Sequence, residues 1–218
     1  MLALNVAAPI RIVRTMTRED RIRKIWKPLV FTAALLPLGW IVWKLLAGGT
    51  GPVGGLGANP IEYLNRYLGD WALRFLILTL AITPAIRVSD AKILIRFRRM
   101  IGLFAFAYAA LHVSSYVVLD QFFDWAAIWK DIVKRTYITV GMGGILILAA
   151  LAVTSPVAVL KRMGARAWRK LHRLVYLAGI LGVVHYYMMV KADVREPLIY
   201  GAILAVLLGH RVWVRMKG

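Results

Sequence analysis

Four histidines, His112, His172, His185 and His210, are the side chains best suited to metal or redox chemistry in this 218-residue chain. There is no cysteine, which excludes disulfides, thiolate metal sites, iron–sulfur ligation and covalent haem attachment. All four histidines lie within or beside long apolar runs, where an ionisable side chain is costly enough to point to function. The competing reading is a neutral imidazole hydrogen-bonded between helices as structural glue. Spacing separates the two. His112 stands 13 residues beyond Arg99 and His185 stands 12 beyond Arg173, each arginine marking the start of an apolar run. At 1.5 Å per residue both imidazoles sit about 18–20 Å along their helices, at a shared depth. A haem iron with two axial imidazoles needs that arrangement: two rigid helices presenting a nitrogen from opposite sides. Zinc would want three or four ligands, and no carboxylate stands nearby in sequence to complete the set.

His172 differs. It precedes His185 by 13 residues on what reads as the same helix, about 20 Å lower, among Arg169, Lys170 and Arg173. The matching position on the helix of His112 is Arg99, which cannot ligate iron, so a haem on His172 needs a ligand from elsewhere. His210 is the other histidine at comparable depth, and beside Arg211 it reads as an interfacial residue. The arginines at these helix mouths also suit a phosphate, of lipid or of flavin mononucleotide. Arg99 and Arg173 are the candidate phosphate contacts, and Trp168 and Tyr176 the candidate stacking faces for an isoalloxazine or quinone ring.

The elements that must position these residues are membrane helices. The chain is 61% hydrophobic with only 18% charged residues, clumped between the apolar runs, and its mean hydropathy is +0.68. Spanning about 30 Å of hydrocarbon takes roughly 20 apolar residues. Six segments qualify, near 28–46, 69–87, 100–119, 136–154, 173–190 and 197–214. This predicts an all-α membrane protein, a six-transmembrane-helix bundle over 28–214 with a basic arm at 1–27 and a tail at 215–218. A net charge of +19 raises the question of nucleic acid, but no soluble domain exists to carry a basic face. Topology explains the charge instead. Lys44, Arg66, Arg74, Lys130, Lys134, Arg135, Lys191 and Arg195 fall on one side, and the other 21 of the 29 Lys and Arg on the opposite one. The basic side is cytoplasmic, so both termini are expected inside. The N-terminus does not read as a removed signal peptide. Ala47 to Pro60 is a Gly-rich connection, and Phe122, Trp125, Trp129 and Ile132 have the spacing of an aromatic-anchored helix in the interface.

These residues also match a known pattern. Arg98-Arg-Met-Ile-Gly-Leu, Tyr108, Leu111-His112, Tyr116 and Asp120 resemble the third helix of the ferric-reductase-like transmembrane superfamily. Trp168-Arg-Lys-Leu-His172-Arg-Leu-Val-Tyr176, His185-Tyr-Tyr and Lys191 resemble its fifth. Asn59-Pro-Ile-Glu, Gly69-Asp-Trp and Thr83-Pro84 extend the similarity over 59–191. Within the superfamily the likeness is to membrane subunits that serve a periplasmic methionine sulfoxide reductase. The resemblance implies a multi-pass protein of the bacterial inner membrane that carries electrons through b-type haem, with flavin mononucleotide associated. It implies a quinone-pool or cytosolic flavin-reductase donor and a periplasmic molybdenum-cofactor subunit as acceptor, this chain being the electron-transfer subunit and not the catalytic one. It implies His112, His172 and His185 as haem ligands; eukaryotic members of the superfamily use four, two from each of these helices, and this chain supplies three. Two other readings stand beside it: a stand-alone ferric or quinone reductase-type b cytochrome, and a non-redox transporter or scaffold. A transporter would favour internal repeats, broken helices and midplane carboxylates, and no acidic residue falls in the middle of the six segments as drawn.

Overall fold

Apolar segments in a bilayer must satisfy their backbone internally, which leaves the helix as the element open to them. The computed structural model describes residues 16–47 and 55–217, and every regular element among the described residues is helical. The first, α1 (Arg18–Arg21), opens on a capping box. The Thr17 hydroxyl accepts from the Asp20 N–H while the Asp20 carboxylate accepts from the Thr17 N–H and hydroxyl. A π-turn, Ile22–Trp26, carries it into α2 (Lys27–Ala47). The stretch expected as a basic arm is therefore helical from Arg18 onward; its residues 1–15, and 48–54 of the Gly-rich connection, lie outside the described residues.

The second span, α3 (Pro60–Ser89), starts well before the expected 69. Asn59 accepts from the Glu62 N–H and Pro60 occupies the first turn, so the cap places the start, while a hydropathy window discards the polar turns that follow. After a 3-10 turn at Lys92–Leu94 comes α4 (Ile95–Ser115), closed by a π-turn at Tyr116–Asp120. The interfacial segment folds as α5 (Trp125–Lys134), capped by Asp124. Phe122 lies before this helix with φ +45°, not on it. Ile128 is the residue α5 buries, while Trp125 and Trp129 point outward. Then follow α6 (Thr136–Val153), α7 (Val157–Met163), α8 (Ala165–His172), α9 (Val175–Met189) and α10 (Arg195–Lys217).

Five of these helices, with their flanking turns, are long and apolar enough to cross a membrane, which makes this a multi-pass membrane protein. The expected span 173–190 is shorter than drawn. Its helix α9 has 15 residues, about 23 Å of rise. A 3-10-type turn at Arg173 and Leu174, with N–H groups bonded to the Lys170 and Leu171 carbonyls, divides α8 from α9. His172 and His185 are thus on two helices rather than one, a correction to the single-helix expectation.

At the centre is α3, packed most extensively on α4 and also touching α9 and α10; α6 packs on α9 and α4. Leu80, Ala105 and Tyr108 are wholly buried there, and the Tyr108 hydroxyl donates to the Ala34 carbonyl of α2 at 2.8 Å. Leu36, Leu146 and Val206 face outward, where lipid stands in place of water. In that solvent packing contacts rather than transfer from water hold helices together. Leu80→Ala is therefore expected to lower stability in detergent by about 2 kcal/mol, the low end for a buried leucine. Leu146→Ala should leave the thermal midpoint unchanged; equal losses at the two positions would contradict the packing.

Candidate functional site

The α4 residue His112 and the α9 residue His185 face each other inside the bundle. Their ring centroids are 6.1 Å apart and their planes cross at 78°. Each ring is pinned through the same atom. His112 Nδ1 lies 2.9 Å from the Asn65 carbonyl of α3, and His185 Nδ1 lies 2.7 Å from the Tyr137 carbonyl of α6. A carbonyl only accepts, so each Nδ1 carries the proton and each Nε2 keeps its lone pair. Two imidazoles that together held one metal, with bonds of about 2.0–2.1 Å and a ring radius of about 1 Å on either side, would have centroids about 6 Å apart. The pair fits that requirement. Among the described residues no group of three or more His, Asp or Glu could hold a bare ion, and this pair offers two neutral imidazoles. That set suits iron whose other positions are filled by a macrocycle.

Asn65 grips His112 twice. Its backbone accepts from the ring, and its side-chain amide donates to the His112 carbonyl at 3.1 Å and to the Ser115 hydroxyl at 3.0 Å. Ser115 in turn donates to the His112 carbonyl. Neither Asn65 nor Tyr137 is among the residues the sequence singles out. Asn65 lies inside the Asn59–Gly69 stretch and is polar in a helix; Tyr137 contributes a backbone carbonyl, which leaves no trace in side-chain pattern. The lengthened α3 also places Asp70 inside a helix, near Arg74, Tyr186 and Glu196. There Tyr186 donates to Glu196 at 2.6 Å and Arg74 donates to the Tyr200 hydroxyl at 2.8 Å. This polar cluster begins one residue from His185.

At the other end of the bundle the expected grouping is redistributed. Trp168 stacks on His172 with centroids 3.7 Å apart and donates its indole N–H to the Thr154 carbonyl. His172 Nε2 is 3.1 Å from the Thr154 hydroxyl, whose own proton goes to the Ala150 carbonyl. His172 Nε2 therefore carries a proton, the opposite tautomer to His112 and His185. Arg99 and Arg173 are exposed; the half-buried arginines are Arg98 and Arg211. Arg211 donates to the Tyr176 hydroxyl and the Leu80 carbonyl, with its guanidinium 4.8 Å from the Tyr176 ring centroid. His210 packs beside Trp213 rather than on His172.

The chain is similar in sequence to known proteins. Residues 68–183 match the family described as ferric reductase like transmembrane component. A protein-methionine-sulfoxide reductase heme-binding subunit MsrQ of Caulobacter vibrioides is 55% identical over 185 residues, 85% of each chain. Its namesake in Rhodospirillum rubrum is 55% identical over 194 residues, 89% of each chain. That of Herminiimonas arsenicoxydans is 48% identical over 88% of this chain and 86% of its own.

The grip on His112 has a measurable consequence. Asn65→Ala removes two side-chain hydrogen bonds and should cost about 1–2 kcal/mol, read as a lower thermal midpoint in detergent. An unchanged midpoint would show that Asn65 does not tie α3 to α4.

Proposed function

The chain belongs to the ferric reductase like transmembrane component family, and within it to the heme-binding subunits of protein-methionine-sulfoxide reductase; from that membership we propose that it is a transmembrane electron-transfer subunit holding b-type haem between His112 and His185. The observation that carries this reading is the facing pair: two rings 6.1 Å apart, each with Nδ1 committed to a carbonyl and Nε2 open. When bound, the haem supplies a one-electron couple between ferric and ferrous iron. Asn65 and Tyr137 fix the tautomer and the ring orientation, and by accepting the Nδ1 protons they raise the basicity of Nε2. A second haem held through His172 Nε2 would require Thr154 to release that nitrogen.

The proposed donor is quinol or a cytosolic flavin reductase, and the proposed acceptor is a periplasmic molybdenum-cofactor subunit that reduces methionine sulfoxide. The names of the relatives support the acceptor class. An inside-negative potential favours outward electron movement by about 2.3 kcal/mol per 100 mV. For a flavin mononucleotide phosphate we assign Arg98 and Arg211 in place of Arg99 and Arg173. Both are half-buried, Arg211 donates to the Tyr176 hydroxyl, and the Arg211 Nε is buried without a hydrogen-bond partner among the described residues.

We further propose six spans in the bacterial inner membrane with both termini cytoplasmic, α9 being completed at its basic end by the turn and α8. The charge asymmetry supports this. Because the chain has no cysteine, single substitutions report topology cleanly. Arg166→Cys should resist an impermeant maleimide in intact cells and Lys130→Cys should react; the reverse pattern overturns the orientation.

Purified protein should show the Soret and α bands of a low-spin b-type cytochrome. His112→Ala and His185→Ala should each abolish the spectrum of the haem they hold. Wild-type spectra in both variants would remove the assignment.

A further inference from the structure

The two carbonyls that hold the histidines share a sequence relation. In an α-helix the carbonyl of residue i accepts from the N–H of residue i+4. Four residues after Asn65 comes Gly69, and four after Tyr137 comes Gly141. Both pairs lie within continuous helix, α3 and α6. Helical side chains lean toward the N-terminus, so the residue at i+4 covers the turn that contains carbonyl i. A side chain there stands in the path of any outside donor. Built on the glycine backbones, a Cβ at position 69 would lie 3.2 Å from His112 Cε1 and Nδ1. One at position 141 would lie 2.8 Å from His185 Nδ1 and 2.9 Å from its Cε1. Each imidazole therefore occupies the volume of a missing methyl group while it donates to the carbonyl one turn below. Glycine is a poor helix former, so alanine would improve both helices were space not needed.

We propose that Gly69 and Gly141 are positioning residues for the haem ligands, each uncovering one lone pair of a helix carbonyl so that a histidine from the neighbouring helix can donate Nδ1–H to it. The inference rests on the haem reading above. Through this bond the glycine sets ligand basicity: a donating Nδ1–H makes Nε2 more electron-rich and favours the ferric state. The two glycines differ in tolerance. His112 can yield by a few tenths of an ångström to a methyl at 69, whereas His185 must move away from one at 141.

The test compares Gly69→Ala, Gly141→Ala and Gly143→Ala in the full chain. At Gly143 a Cβ meets only Leu181 Cδ1, at an ordinary 3.5 Å. The readouts are haem per protein by pyridine haemochrome, midpoint potential by redox titration, and the low-spin ferric EPR envelope, which reports the angle between axial imidazole planes. Gly69→Ala is expected to retain haem with a raised potential and an altered envelope. Gly141→Ala should bind haem more weakly by about tenfold or more, as loss of a partner that orients a metal ligand does. Gly143→Ala should match wild type in all three. The proposal is overturned if Gly69→Ala keeps the wild-type potential and envelope, or if Gly143→Ala shifts them as far. Should Gly141→Ala fail to fold, Gly69→Ala decides. Wild-type protein without haem defeats the haem reading itself; haem-loaded wild type with an unmoved Gly69→Ala defeats this inference alone.

Discussion

An imidazole buried among membrane helices has nowhere to send its N–H except to an acceptor the protein provides, and a helix carbonyl with an unused lone pair is the acceptor nearest to hand. His112 and His185 both resolve the constraint this way, through the carbonyls of Asn65 and Tyr137. The arrangement of the two histidine helices depends on these two bonds. They fix the tautomer, which frees Nε2; they fix the ring direction, which brings the two rings together; and they dictate which helix must lie beside which. Each histidine helix is paired with a carbonyl-bearing one, α4 with α3 and α9 with α6, and these two pairs are the most closely packed in the molecule.

The centre of the bundle supports that pairing. Leu80 and Tyr108 fill the space around α3, and Asn65 adds side-chain bonds to the backbone of α4 on the turn that carries His112. Lipid gives no hydrophobic gradient between helices, so close packing and interhelical hydrogen bonds set their mutual position. Tyr67 and Tyr108, donating to the Pro37 and Ala34 carbonyls, extend the same device to α2.

The basic end is built by other means. Here α8 is amphipathic and separate, α9 is short, and Trp168, His172 and Thr154 form a closed hydrogen-bonded set. Two arginines turn inward without a carboxylate partner among the described residues, Arg98 toward Thr83 and Arg211 toward Tyr176. The same end of the fold thus presents a hydrogen-bonded histidine and positive charge bonded to neutral oxygens, in contrast to the His112–His185 centre, where the imidazoles are neutral and their Nε2 atoms open.

Much of this was legible before any coordinates. Hydropathy and charge spacing located the apolar runs, because hydrocarbon thickness and helical rise are fixed lengths. Distances of 13 and 12 residues from Arg99 and Arg173 put His112 and His185 at a similar level, and the rings lie 6.1 Å apart despite the break at Arg173–Leu174 because the turn there is short and nearly helical. What only the tertiary structure decided is rotational and local. Depth follows from counting residues, but which of Arg98 and Arg99 faces inward depends on helix phase, and a neighbouring helix sets that. The break separating His172 from His185 has no proline or glycine at Arg173–Leu174 to announce it. The start of α3 lay in a cap rather than in hydropathy. The acceptors for the histidines were backbone atoms, identical at every residue, and only their approach by a neighbouring helix distinguishes Asn65 and Tyr137 from the rest. Sequence therefore determined which side chains sit at a given depth, and packing determined what each of them meets.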